Sequence, residues 1–360
     1  MGDNKAWPMR TIRFTVDSRH LDEQPSRAAI EQASAILRAG GTVAFPTETV
    51  YGLGANALDA TAVAKIFAAK QRPGWDPLIV HLEDRGMLPL ITANVPQNAT
   101  RLMDAFWPGP LTLLLPRNAS IPDAVTAGRP LVGVRVPKHP VAHALLQTAK
   151  LPIAAPSANT FGRTSPTLAA HVVEDLDGRI DAVLDSGEST YGLESTVIDP
   201  TVDPCVVYRP GVITLEMIRD VCSDAVLFNE SQFPVHATPE SLPSPGVGIR
   251  HYAPRARLVV IESSGMSESK EFGAAFREAQ QSRECVGLML PEGFGSEFSI
   301  ENALVYRWGS WTNEEELAQR LFAGLRWLDA AGATIILCPL PEERGIGMAI
   351  RDRLKKAARR

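Results

Sequence analysis

Apolar positions along the chain change period several times, and each change marks an element. Thr11 to Val16 alternates apolar and polar residues, the two-residue period of a half-buried strand. From Ser26 to Ala39 apolar residues recur at helical spacing, and Gly40-Gly41 stops the pattern. Thr42 to Phe45 reads as a short buried strand. Asp59 is placed to cap a helix running to about Lys70, with Val63, Ile66 and Phe67 on its inner face. Further strands are predicted at Leu78 to Leu82, Leu111 to Leu115, Leu131 to Val136, Ile153 to Ala155, Ala182 to Leu184, Thr196 to Ile198 and Val206 to Tyr208. Helices are predicted over Asn98 to Phe106, Val141 to Ala149 and Leu168 to Leu176. Strands and helices mix without strict alternation, which predicts a twisted mixed sheet with helices packed on it.

Between Asn229 and Arg257 the periodicity stops and prolines accumulate, at 234, 239, 243, 245 and 254. The stretch reads as a linker. Beyond it strands at Leu258 to Ile261, Val286 to Leu290, Ala303 to Tyr306 and Thr334 to Cys338 alternate with helices at Glu268 to Gln280, Glu314 to Leu328 and Ile346 to Ala358. That order predicts a small doubly wound, Rossmann-like α/β domain. The expected division is a first domain over 1–228, a linker over 229–257 and a second domain over 258–360.

Composition narrows the function classes. The chain is 45% hydrophobic and 21% charged, as in ordinary globular proteins. No apolar run approaches the roughly 20 residues that span a bilayer. Met1 to Arg10 lacks the apolar core of a signal peptide, so a cytoplasmic location with no membrane partner is expected. The net charge of -5 argues against a general nucleic-acid binder, although a local basic cleft stays open. The four cysteines are far apart, which disfavours a zinc site and leaves buried free thiols. The basic stretch Arg351 to Arg360 reads as a solvated helix end.

Several polar groups interrupt apolar strands. Gly52-Leu53-Gly54-Ala55-Asn56-Ala57 fits a dinucleotide-binding fingerprint in letters, but no helix opens on its glycines. Lys70 and Arg72 sit where Pro73 breaks a helix; the pair reads either as an exposed helix end or as a bracket for polyphosphate. Ala155-Pro156-Ser157-Ala158-Asn159, followed by Ser165, is either an anion cradle or a polar turn capping the next helix. Arg135 lies inside an apolar strand, where it must pair with an acid or clamp a substrate carboxylate. His81 likewise interrupts a strand and reads as a core residue or a ligand contact. Thr47 to Tyr51, Glu194 to Thr196 and Arg209 add hydroxyls, acids and another cation at strand ends. Together these groups describe a cationic cleft suited to a nucleotide and a small zwitterion.

Phe45-Pro46-Thr47-Glu48-Thr49-Val50-Tyr51-Gly52-Leu53-Gly54, the Lys70/Arg72 pair, Pro77-Leu78-Ile79-Val80-His81 and Ser157-Ala158-Asn159 together resemble the YrdC-like domain in order and spacing. His251-Tyr252-Ala253-Pro254, and Gly345 to Ile350 with Arg353-Leu354, resemble the long, two-domain threonylcarbamoyl-AMP synthases. The resemblance implies an ATP-dependent nucleotidyltransferase. It would make threonylcarbamoyl-AMP and pyrophosphate from L-threonine, bicarbonate and ATP for a tRNA modification. The rival readings are an RNA-binding module and a carbamoyltransferase that handles carbamoyl-adenylate. By motif, Lys70 and Arg72 would be catalytic. Arg72, Asp76, Leu131, Ser157, Asn159, Ser165, Arg209 and Tyr252 would meet ATP, and Thr49, His81, Arg135, Ala155 and Ser195 would meet L-threonine. Asp76 stands where an amide is expected, so its part in holding ATP needs Mg²⁺ or a ribose hydroxyl as partner. Mg²⁺ would accompany ATP. A downstream threonylcarbamoyl transferase complex is the expected partner, with weak tRNA binding a further expectation. Tyr252, from the linker, would belong to a lid over the site.

Overall fold

A computed structural model describes residues 10–228, 251–262, 269–282, 284–294 and 300–359. Most of the expected linker, 229–250, lies outside the described residues. In chain order the first unit holds β1 (Ile12–Thr15), α1 (Gln24–Arg38), β2 (Val43–Phe45), β3 (Gly52–Asn56), α2 (Ala60–Lys70), β4 (Ile79–His81), α3 (Gln97–Phe106), β5 (Leu111–Pro116) and α4 (Asp123–Thr126). It continues with β6 (Leu131–Arg135), α5 (Pro140–Ala149), β7 (Ile153–Ala154), α6 (Ala169–Leu176), β8 (Ala182–Asp185), β9 (Thr196–Asp199), β10 (Val206–Arg209), α7 (Leu215–Arg219) and β11 (Val226–Leu227).

Its strands form one sheet in the order β1-β8-β2-β3-β7-β4-β6-β5-β9-β10-β11. Parallel and antiparallel neighbours mix, as the broken alternation predicts: β4 runs parallel to β6, while β5 runs antiparallel to it. Local chemistry sets the helix ends. Asp59 caps α2 by accepting from the Thr61 and Ala62 amides at 2.8 and 3.2 Å. Gln71 then turns left-handed, at φ 54°, before Pro73 bars continuation. The apolar face of α2, with Val63 and Ile66 fully buried, packs into the main core beside Leu53 and Val80. Fully burying side chains of this size stabilises by about 1.5–3 kcal/mol each.

The strand β3 was not expected from sequence. Its glycines are poor strand formers, yet the strand is required by packing. A Cβ on Gly54 would stand 2.7 Å from Ile153 Cγ2 and 2.8 Å from a Phe45 ring carbon. The letters that mimic a dinucleotide fingerprint are therefore a strand that neighbours approach closely.

The second unit holds β12 (Arg257–Ile261), α8 (Ser269–Gln281), β13 (Val286–Pro291), β14 (Leu304–Gly309), α9 (Glu314–Ala330), β15 (Ile335–Pro339) and α10 (Gly345–Ala358). Its four strands are all parallel, ordered β12-β15-β13-β14. This is the doubly wound arrangement that the alternating pattern predicts.

The two units share a core. Val50 and Leu193 of the first cluster with Tyr252 and with Trp308, Phe322, Ile350 and Leu354 of the second. Gly192, at φ +67°, lets the backbone approach α9 so closely that a Cβ would meet Gln319 O at 2.5 Å. Arg326 of α9 reaches the Thr164 carbonyl at 2.5 Å and Asp175 at 2.8 Å. The basic C-terminal stretch is not the solvated helix end expected from sequence. Arg351, Arg353 and Lys356 of α10 are buried, because each meets an acid: Glu262, Glu194 and Asp352 respectively.

Candidate active site

The parallel register of β4 and β6 makes His81 and Arg135 neighbours at the two strands' C-terminal ends, where open α/β sheets bind ligands. A cleft, open to solvent on one side, lies there. It gathers Thr49, Arg72, His81, Arg135, Ala155, Ser157, Ser195, Arg209 and Tyr252 from the residues expected by motif.

The Arg135 guanidinium is already held on three sides. It donates to the Gly109 carbonyl at 3.2 Å and to Thr49 Oγ1 at 2.9 Å, and pairs with Glu48 at 2.5 Å. The acid-pair reading and the clamp reading are therefore compatible, for the same side chain lines the cavity. Arg135 holds the Glu48 carboxyl below its ordinary range even though burial opposes this. Thr47 builds the turn that presents Thr49: its hydroxyl donates to the Val50 carbonyl at 2.6 Å and accepts from the Thr49 and Val50 amides. Burial, with Arg135 adding to it, depresses His81 to about 3. At neutral pH the imidazole is uncharged, able to donate or accept one proton in hydrogen bonding.

Lys70 is not an exposed helix end. It is 1% exposed, and its ammonium donates to the Ser157 and Asn159 carbonyls at 2.5 and 2.6 Å. Burial, then repulsion from Arg72, pushes it well below the ordinary lysine range. Lys70 thus ties the 157–159 loop from behind and does not line the cavity. Asn159 also works inside the loop, donating to the Thr160 and Arg163 carbonyls at 2.8 and 2.9 Å. The helix after this loop, α6, begins at Ala169, within one residue of the start expected from sequence.

Arg72 does reach the cavity. Its other side donates to the Asp76 and Pro77 carbonyls and pairs with the Asp76 carboxylate at 2.9 Å. Asp76 is 1% exposed and faces Arg72, not the cavity. Burial, despite Arg72 and Lys70, raises its pKa. This acid lies behind its arginine.

Arg209 donates to the Ser195 carbonyl and hydroxyl at 3.0 and 3.1 Å, and Ser195 contacts Thr112 at 2.8 Å. Ser165 lies just outside the cavity and donates to Glu194 at 2.5 Å. Leu131 packs against the cluster of Ile79, Leu114 and Val197, of which Ile79 lines the cavity. Leu131 opens β6, four residues before Arg135, a distance of about 13 Å along a strand.

Tyr252 and His251 close the cavity from the second unit's side. Tyr252 is 1% exposed and has φ 64°, a left-handed conformation that costs a non-glycine residue roughly 1–2 kcal/mol. Its ring lies 5.8 Å from Phe322 in a stacked arrangement, with the Arg353 guanidinium 5.2 Å over it. His251 packs edge-on against Phe161 and Tyr252. Burial, followed by the charges of Arg72 and Lys70, keeps its imidazole well below the ordinary range. Sequence reasoning counted Glu194 among the cleft's polar groups without a role of its own and gave His251 and Arg353 none, although each stood in a quoted motif. The signal available was a charged or polar residue inside an otherwise apolar helix or strand face.

Fold and cleft together define a YrdC-like α/β protein with a parallel α/β domain closing its ligand cavity. A family model described as telomere recombination, covering the Sua5, YciO and YrdC proteins, matches residues 35–211. A second, described as the C-terminal domain of threonylcarbamoyl-AMP synthase, matches residues 213–359. The threonylcarbamoyl-AMP synthase of Bacillus subtilis is 41% identical, over 97% of this chain and 98% of its own. That of Pyrococcus abyssi is 41% identical, over 91% and 94%. The crystal structure of Pyrococcus abyssi Sua5 complexed with L-threonine superposes with a TM-score of 0.88 at 39% identity, covering 97% of this chain and 98% of that one. The chain belongs to the threonylcarbamoyl-AMP synthase family, in its two-domain form.

Proposed function

We propose that this chain makes threonylcarbamoyl-AMP and pyrophosphate from L-threonine, bicarbonate and ATP, for a tRNA modification. The observation that carries the reading is the cavity itself. Three arginines, two histidines and four small hydroxyls line one space in a chain whose residues 35–211 and 213–359 match the two family models.

In this reading Arg135 takes the threonine carboxylate, with Thr49, His81, Ser195 and the Ala155 backbone around the rest of the amino acid. Arg72, Arg209 and Ser157 face the ATP phosphates, and Ser165 and Tyr252 bound the nucleotide side. Lys70 and Asn159 act by shaping the loop that carries Ser157. Asp76 acts through Arg72. The threonine amine adds to the carbon of bicarbonate, water leaves, and a carbamate forms. A carbamate oxygen then attacks the α-phosphorus, and the bond to the pyrophosphate oxygen breaks. Such a step needs positioning and stabilisation of spread negative charge. Cations and N–H donors suffice, without a nucleophilic side chain.

Mg²⁺ fits as part of the substrate. Among the described residues no three His, Cys, Asp or Glu side chains converge as a ligand set, and Asp76 is turned toward Arg72. The ion would arrive on ATP and supply charge neutralisation to its phosphates. Tyr252 and His251 act as a lid that keeps water from the mixed anhydride. No helix among the described residues is long and apolar enough to cross a membrane. We place the reaction in the cytoplasm, where a threonylcarbamoyl transferase complex takes the product to tRNA, with weak direct tRNA binding at most. Pyrophosphate release that depends on both L-threonine and bicarbonate tests the reading. A mobility shift with tRNA in the absence of such release would favour an RNA-binding module instead.

A further inference from the structure

The described cavity ends at a carboxylate that the reaction scheme does not use. Glu194 lines the cavity beside Ser195, a carboxylate in a wall whose other charged groups are the guanidinium groups of Arg72, Arg135 and Arg209. An uncompensated acid there would repel a triphosphate. The chain meets this with a residue from the other unit, 159 positions later. Arg353 of α10 donates its Nε–H to Glu194 Oε2 at 2.8 Å, one Nη to the Pro210 carbonyl at 3.0 Å and the other to Asp352 at 2.6 Å. The Ser165 hydroxyl holds the remaining oxygen of Glu194. The same guanidinium lies 5.2 Å over the Tyr252 ring, which also stacks with Phe322 of α9 at 5.8 Å. The Arg353 side chain is wholly buried. One cation thus touches the acidic wall, the lid aromatic and the turn that follows Arg209.

We propose that Arg353 is a positioning residue of the active site, by which the second domain neutralises Glu194 and holds Tyr252 over the nucleotide side of the cavity. The inference rests on the assignment of that side to ATP, and it gives the second domain a part in ATP binding. Arg353 touches no reacting atom; it acts through Glu194 and Tyr252. A planar fork is required, because one ammonium cannot serve Glu194, Pro210 and the ring together.

The test reads binding, so it does not depend on whether product forms. Isothermal titration calorimetry measures Mg²⁺-ATP and L-threonine separately on the full chain, for the parent, Arg353→Met, Arg353→Lys and the Arg353→Met/Glu194→Gln double variant. The expected result is at least tenfold weaker ATP binding in Arg353→Met, with threonine binding within twofold of the parent. The double variant should regain at least threefold in ATP affinity, because removing the unpaired charge removes the repulsion. Where Arg353→Met does not fold, Arg353→Lys carries the test, with at least threefold weaker ATP binding expected. Equal weakening of both ligands with no regain in the double variant would mean that Arg353 only docks the domains, and would overturn the proposal. Parent-like ATP binding in Arg353→Lys, or a parent that binds no ATP, overturns it as well.

Discussion

Glu48 and Arg135 form a buried ion pair at 2.5 Å, each side chain no more than 6% exposed, within a cavity wall. The pair explains how an arginine persists inside an apolar strand, and it leaves the guanidinium oriented by Thr49 and Gly109. Removing one member strands the other charge, at a cost of about 3–5 kcal/mol. Arg135→Ala is therefore expected to lower the midpoint of thermal unfolding sharply. Arg135→Lys keeps the charge but loses the fork. Its threonine KM should rise at least tenfold while its ATP KM stays within twofold. Equal rises in both would assign Arg135 to structure alone.

Lys70 and Arg72 separate into two experiments. Lys70 holds two loop carbonyls and lies under the cavity wall. Lys70→Ala should lower both stability, by about 1–3 kcal/mol for the carbonyls left unsatisfied, and turnover. Arg72→Ala should lower turnover at least tenfold, a loss of about 1.4 kcal/mol of transition-state binding. Chemical denaturation alongside steady-state rates checks both. A Lys70→Ala protein as stable as the parent would contradict the loop role.

His81 predicts a pH dependence of stability. Its folded value, about 3, lies below the ordinary 6.5. Between those limits the unfolded chain holds a proton that the folded chain refuses, so stability rises with pH across that window. The contribution is complete above about pH 6.5 and is lost as pH falls toward 3. The slope for one proton is about 1.4 kcal/mol per pH unit. The urea midpoint of the parent should fall from pH 7 to pH 5, and His81→Gln should fall less. Identical slopes in the two proteins would show that other groups carry the dependence.

Tyr252 is held in a strained left-handed conformation, in contact with Phe322 and Arg353. Tyr252→Ala should consume more ATP per intact threonylcarbamoyl-AMP recovered, since a lid that no longer seals admits water to the anhydride. Parent-like rate, ligand affinity and product yield would reduce the linker to a connection.

Hydrophobic period made most of the fold legible. The parallel second sheet follows from strands and helices that alternate, and the mixed first sheet from those that do not. β3 escaped because its stability comes from Phe45 and Ile153 pressing on glycines, a tertiary effect that no local propensity encodes. The cavity residues were legible where a polar group interrupts an apolar strand, as at His81 and Arg135, or stands beside one, as at Ser195. Lys70 and Arg353 were misread for one reason. A cation near a helix end is usually solvated, and only the folded chain reveals which distant carbonyls or acids surround it. Leu131 was carried over by motif alone; it opens β6, at the other end of the strand from Arg135.

The central claim is that this cavity couples threonine, bicarbonate and ATP. The direct measurement is mass-spectrometric detection of threonylcarbamoyl-AMP after incubation of the chain with the three substrates and Mg²⁺. The account predicts the adenylate with pyrophosphate in equal amount, both lost when L-threonine or bicarbonate is omitted and both reduced at least tenfold in Arg72→Ala. Pyrophosphate release without the threonylcarbamoyl adduct, or neither product from a folded chain that binds ATP, would contradict it.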